Sequence, residues 1–279
     1  TSGGALFAGF PDVYATAASA FYIPLMLLLS VLIFRAVAIE FRSKNPSPIW
    51  RWIFDFLFAF ASLVIAFALG LVMGNLIRGI NLDANKEFIG STIDFFNPYA
   101  ILVGIFTIAL FAMHGAIYAV LKTEGELQNT LKSWVNPSII LFIILYAVTT
   151  IATLIYQPHM INALQERPYF FLVALLNVLA IANIPREITL GREGRAFISS
   201  AVNIVCLLAL YGIGTFPNAI RALNDPANLS LTIFNSAASD TTLKILLLIA
   251  IIGMPMVLSY TISIYYVFRG KTRLDSHSY

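Results

Sequence analysis

Charge is what this sequence lacks most: only 11% of its 279 residues are Asp, Glu, Lys or Arg, while 59% are hydrophobic. Soluble domains carry about 25% charged residues, so this composition cannot cover a water-facing fold. Cysteine is reduced to Cys206, inside an apolar run. Internal disulfides, iron–sulfur ligation and c-type haem attachment are thereby excluded within the chain. Histidine is nearly as scarce, at His114, His159 and His277, with no two spaced three or four residues apart. Helix-borne His–His metal sites are therefore not encoded. The nucleotide motif GxxxxGK[ST] is missing, and GREGR at 191–195 has no strand before it. The net charge of +3 does not point to nucleic acid, because the basic residues lie in short clusters between apolar runs.

What is present is a series of apolar runs. About 20 such residues cross a hydrocarbon core roughly 30 Å thick. Seven stretches qualify, at about 13–37, 52–77, 100–121, 138–156, 168–184, 197–216 and 244–268. Backbone polar groups must bond internally in lipid, so the expected fold is all-α, a polytopic transmembrane helix bundle forming a single membrane domain. Pro137 and Pro168 are expected where helices begin, Pro185 after a helix end, and Pro24 and Pro255 as kinks within spans.

Orientation follows from Lys and Arg. With the first span entering from outside, the inner segments hold eleven basic residues: Arg42, Lys44, Arg51, Lys122, Lys132, Arg186, Arg192, Arg195, Arg269, Lys271 and Arg273. The outer ones hold five: Arg78, Lys86, Arg167, Arg221 and Lys244. The C-terminus is therefore expected inside. An outside N-terminus before seven spans, with Thr1 in place of Met and an opening that reads like the middle of a protein, suggests a chain truncated by one helix.

Several motifs occur in order: GGALFAGFPDVYATAASAFYIPLMLLLSVLIFRAVAIEFRSK at the start, WRWIFDFLF, GNLIRG (74–79), NPYAILVG (97–104), HGAIYAVLKTEGEL (114–127), NLSLTIFNSAASDTTLKI (228–245) and a terminal HSY. Together they resemble subunit II of the cytochrome bd-type quinol oxidases over essentially the whole chain, most weakly from 129 to 194. The resemblance implies an eight-helix fold of two four-helix bundles, with the first helix and the acidic WDGNEVWL-like segment of the family lying upstream of this sequence. It implies a haem-free subunit, not catalytic alone, within a quinol:oxygen oxidoreductase of a bacterial or archaeal cytoplasmic membrane. Haems b and d would reside in the partner, subunit I, and quinol would be the substrate of the complex. The family also leaves room for a small single-helix subunit and a structural quinone.

Ionisable residues at membrane depth are candidates for function. Arg35, Glu40, Asp55 and His114 all fall in the inner half on this topology, where they would pass protons inward or bind the bundle together. Arg35 can snorkel to the headgroups. Glu40 can pair with Lys44, and Asp55 with Arg51, at i,i+4 spacing. His114 can serve as a neutral interhelical hydrogen bonder, as can Asn177, Asn183 and Asn203. The resemblance further implies that Tyr279 and nearby polar groups such as Asp275 lie near the cytoplasmic mouth of a proton path between the subunits. A stand-alone secondary transporter or channel is the competing reading. It would favour internal repeats and a midplane site, whereas no repeat is seen and the buried charges gather on one side. A membrane-embedded lipid-modifying enzyme would need clustered His and acidic residues.

Overall fold

The computed structural model describes residues 2–271. Asp275 and Tyr279, the two tail candidates, and His277 lie outside the described residues. The α-helices in chain order are α1 (Ser2–Gly9), α2 (Pro11–Ala20), α3 (Tyr22–Phe41), α4 (Pro48–Arg78), α5 (Pro98–Lys122), α6 (Gly125–Tyr156), α7 (His159–Glu166), α8 (Phe171–Thr189), α9 (Glu193–Thr215) and α10 (Asp240–Val267). Seven of them are long and apolar enough to span a membrane: α3 to α6 and α8 to α10. The all-α bundle expected from the apolar runs is therefore present.

Three proline expectations fail. Pro137 lies inside α6 and Pro185 inside α8, neither at an end. Next to the first, the Ser138 hydroxyl bonds back to the carbonyls of Trp134 and Val135. Around the second, buried Ile184 and Glu187 hold the helix against its neighbours for another turn. Tertiary packing can re-satisfy a proline-interrupted membrane helix. Pro24 stands in the first turn of α3 rather than mid-span, because the helix breaks at Phe21 and α2 precedes it as a separate element.

Helices α4 and α5 pack most intimately. A Cβ added to Gly74 would lie 2.6 Å from Ala100 Cα, and one on Gly70 2.6 Å from the Val103 carbonyl oxygen. Gly104 returns the relationship, lying against the Phe67 ring. Small residues four apart let backbones approach where no hydrophobic drive distinguishes helix from lipid. Helices α5, α6, α8 and α9 enclose the larger apolar core, which includes Met113, Ile117, Val135, Phe142 and Ile184.

At one end of the bundle, here the loop end, the segments after α4 and α9 fold together. The backbone N–H of Ile80 donates to Arg221 and that of Leu223 to Ile80, at 3.0 and 2.8 Å. Asn224 brackets Leu82 with bonds to both its N–H and its carbonyl. A short antiparallel hairpin, β1 (Asn218–Ile220) and β2 (Leu231–Thr232), completes this cap. Its own apolar core joins Val13 and Phe21 to Leu82, Phe95, Ile220 and Leu231. The opposite, basic end carries short connections at 42–47, 123–124 and 190–192. Helix α10 stands apart: none of its span is buried, against 44% for α5.

Candidate functional site

The basic end collects the charged residues singled out in the sequence. Arg35, six residues before the end of α3, donates from Nε to Ser62 Oγ on α4 at 3.1 Å. Its guanidinium lies 5.1 Å from the centre of the Phe58 ring. It thus braces α3 against α4, a contact that snorkelling alone would not make. Glu40 pairs with Lys44 at 3.3 Å on an exposed helix end, the local pairing that the spacing allows.

Asp55 departs from expectation. Its partner is Arg42, which reaches both carboxylate oxygens through Nε and Nη2, rather than Arg51. The turn between α3 and α4 brings the Nε–Nη2 edge of the guanidinium onto both carboxylate oxygens, a bidentate fit. Trp50 fixes that turn by donating its indole N–H to the Phe41 carbonyl at 2.8 Å. The bonded carboxylate holds Arg42 even more firmly protonated than usual, first through the hydrogen bond and then through charge.

His114 lies elsewhere, inside the α5–α6–α8–α9 bundle. Its Nδ1 is 2.8 Å from Ser200 Oγ on α9, and its ring stacks on Phe197 at 5.0 Å. The Ser200 hydroxyl already donates to the Phe197 carbonyl, so its oxygen accepts and His114 Nδ1 bears the proton. The four candidates therefore form two groups: Arg35, Glu40 and Asp55 on the α3–α4 hairpin, and His114 in the larger core.

The reading of the sequence missed Glu187. Ending the span at 184 consigned it to a loop, yet it lies on α8 with 3% exposure. A signal was available in the spacing Asn177, Ile181, Ile184 and Glu187, one continuous helical face. Asn183 and Asn177 bond as expected across helices, to Ser199 Oγ at 2.9 Å and Tyr146 OH at 3.2 Å.

The loop end holds a cleft of about 660 Å³ lined by His159, Glu166, Arg167, Ile213 and Arg221. His159 Nε2 lies 3.0 Å from the Ile77 carbonyl, and Arg221 donates to that of Arg78 at 3.0 Å. Both close the C-terminal carbonyls of α4, where cations and donors are favoured. Burial, then the charge of Arg221, pushes the His159 pKa down. Among the described residues no group of three or more His, Cys, Asp or Glu is placed to hold a metal ion. Nor do the two described histidines fit a haem between them: each is bonded at a different level of the bundle.

Residues 1–268 match the family described as cytochrome bd terminal oxidase subunit II. Cytochrome bd ubiquinol oxidase subunit 2 of Bacillus subtilis is 32% identical over 97% of this chain and 79% of its own length. Cytochrome bd-I ubiquinol oxidase subunit 2 of Escherichia coli is 24% identical over the same shares. The bd oxidase structure from Geobacillus thermodenitrificans superposes with a TM-score of 0.71 at 17% identity, covering 93% of this chain and 77% of that one. With the family matched from the first residue through the end of the last spanning helix, the chain belongs to the cytochrome bd terminal oxidase subunit II family.

Proposed function

We propose that this chain is the haem-free subunit of a respiratory quinol:oxygen oxidoreductase in a bacterial or archaeal cytoplasmic membrane. The observation that carries the reading is the family match over residues 1–268, joined by relatives named as ubiquinol oxidase subunits. Haems b and d belong to the partner, subunit I, which oxidises quinol and reduces oxygen. This subunit packs against it and shapes the proton route from the cytoplasm. Protons for water are drawn from inside while quinol releases its protons outside, and a gradient results.

Two features support the assignment of roles. Helices α3 and α10 offer long apolar faces, with 6% and 0% of their spans buried, suited to a second membrane subunit as well as to lipid. The basic end, facing the cytoplasm in this reading, carries the Arg35, Glu40 and Asp55 group at the level where inward proton uptake begins. A small single-helix subunit and a structural quinone are compatible additions. Gentle detergent purification through a tag on this chain tests the reading. A haem-bearing membrane partner should co-purify with quinol oxidase activity, and the separated chain should give no reduced-minus-oxidised haem spectrum. A chain that purifies alone and moves a solute in liposomes would favour the transporter reading.

A further inference from the structure

Five buried side-chain atoms lack a hydrogen-bond partner among the described residues: Thr149 Oγ1, Asn177 Oδ1, Glu187 Oε2, and both Oδ1 and Nδ2 of Asn203. All belong to α6, α8 and α9, within the bundle that also contains His114. Other polar side chains connect their levels. Starting at the basic end, Glu187 is followed one turn deeper by Asn183, bonded to Ser199. The next residue, Ser200, holds His114. Asn203 is three residues further along α9 and fully buried. Asn177 then meets Tyr146 on α6, with Thr149 one turn beyond. From Glu187 to Asn177 the rise along α8 is about 15 Å, half of a hydrocarbon core.

Lipid offers these atoms nothing, and bare polar groups at membrane depth are costly. Exchanging the oxygen and nitrogen of the Asn203 amide would not help, since both are bare. The unmet set mixes an amide donor, three carbonyl or carboxylate acceptors and a hydroxyl. A molecule that donates and accepts in any direction matches that set, and buried water plays this part in protein interiors.

We propose that the α5–α6–α8–α9 bundle binds a file of water molecules from Glu187 to the level of Asn177 and Thr149, and that Glu187 exchanges protons with it at the basic-end mouth. A proton accepted by Glu187 Oε2 from a hydronium ion at the mouth, which leaves as water, passes to the next water inward, and the carboxylate is regenerated. Charged neighbours at the mouth leave that oxygen available. Arg186 Nη1 lies 3.4 Å from the other oxygen, Oε1. Lys132 on α6 and Glu193 on α9 pair with each other at 3.0 Å. Lys122 on α5 is bonded to the carbonyls of Phe268 and Gly270. The remaining basic side chains of the 190–195 segment are Arg192, whose backbone N–H donates to the Glu187 carbonyl, and Arg195. The file is distinct from the α3–α4 group and holds whichever reaction consumes the protons.

Infrared difference spectra after a pH step, recorded on the intact complex in lipid nanodiscs, test the proposal. A protonated-carboxyl band should vanish in Glu187→Gln and shift in Asn203→Leu. Water O–H bands that move in ¹⁸O-labelled water should fade in Asn203→Leu. A Glu187 band indifferent to Asn203→Leu, without any isotope-sensitive water band, would overturn the proposal. Should Glu187→Gln fail to assemble, Glu187→Asp replaces it and must move the band. Melting temperature supplies a second readout. In a dry bundle Asn203→Leu removes two unbonded polar atoms and raises it, which also overturns the proposal; a hydrated file predicts a fall.

Discussion

The side-chain amide of Asn97 donates to Oδ1 of Asn75 across 2.9 Å, and this bond joins the end of α4 to the start of α5. Each asparagine has a second task. Asn75 gives its amide hydrogens to the carbonyls of Leu71 and Phe95, while Asn97 accepts from the Ala100 N–H as the cap of α5. The GNLIRG and NPYAILVG segments, read separately in the sequence, are therefore two halves of one hydrogen-bonded corner.

Replacing Asn75 by Ala should strip the Phe95 carbonyl of the Asn75 donor and leave the Asn97 amide only its bond to the Asp94 carbonyl. The expected loss is on the order of 1–3 kcal/mol, the cost of stranding buried polar groups. Thermal unfolding in detergent measures it. A melting temperature equal to wild type would show that the corner is held by something else.

Gly74→Val should push α4 away from α5, because a Cβ there already meets Ala100 Cα at 2.6 Å. Overpacking of this kind costs about 1–3 kcal/mol or more. Gly115→Val is the matched control, since a Cβ there meets no heavy atom within 4 Å beyond its own helical turns. The comparison is read as yield and melting temperature of the assembled protein, and equal behaviour of the two variants would refute the close-approach argument.

Arg42 and Asp55 separate bracing from proton traffic. A carboxylate held by a guanidinium carries protons poorly until the pair opens. If Asp55 lies on the route, Asp55→Asn should slow oxidase turnover at unchanged quinol KM, whereas Arg42→Gln should not slow it. Haem content per complex must match wild type in both. Equal turnover in all three forms makes the pair a brace and nothing more.

His159 gives a pH dependence with a definite sign. Its folded pKa is pushed below the unfolded value of about 6.5. The neutral ring is thus favoured on folding, so its contribution is present above that value and lost as pH falls through the depressed folded pKa. The loop-end cap should melt earlier in acid, and His159→Gln should flatten that part of the profile. Hydrogen exchange of the Ile80 and Leu223 amides, which lie in the cap, reports it locally; identical acid profiles in the two proteins would remove His159 from the account.

Topology can be measured with single cysteines in a Cys206→Ser background. Ala227 and Lys271 are both exposed, on the loop end and the basic end. An impermeant maleimide added to intact cells should label Ala227→Cys and spare Lys271→Cys. The reverse pattern would invert the orientation drawn from the Lys and Arg balance.

Long apolar runs made the spanning helices legible, since lipid leaves the backbone so few alternatives. Their ends were not. Pro137 and Pro185 looked like boundaries because sequence alone cannot show the contacts that carry a helix past a proline. Spacing pairs Asp55 with Arg51 on its own helix, while the shape of the α3–α4 turn favours Arg42. Glu187 stayed hidden because a charged residue past the last apolar one reads as loop, although its spacing from Ile184 fitted the buried face. The loop-end cap was illegible for another reason: Leu82 and Asn224 are bonded across a separation of 142 residues.

That separation also sets an order of events during synthesis. The α4–α5 hairpin enters the membrane long before the residues that close over its loop end have left the ribosome, and domains are built from the N-terminus onward. Until α9 and the hairpin after it arrive, Ile80 lacks its bridge partner Ala222 and Leu82 has only its local bridge to Phe88, so the early helices wait with an open end. Nascent chains halted after α8 should therefore carry a protease-sensitive 79–97 segment that becomes resistant once residue 232 has emerged. Quality control would then have a simple cue, since the closed cap certifies that all but the last helix has been delivered.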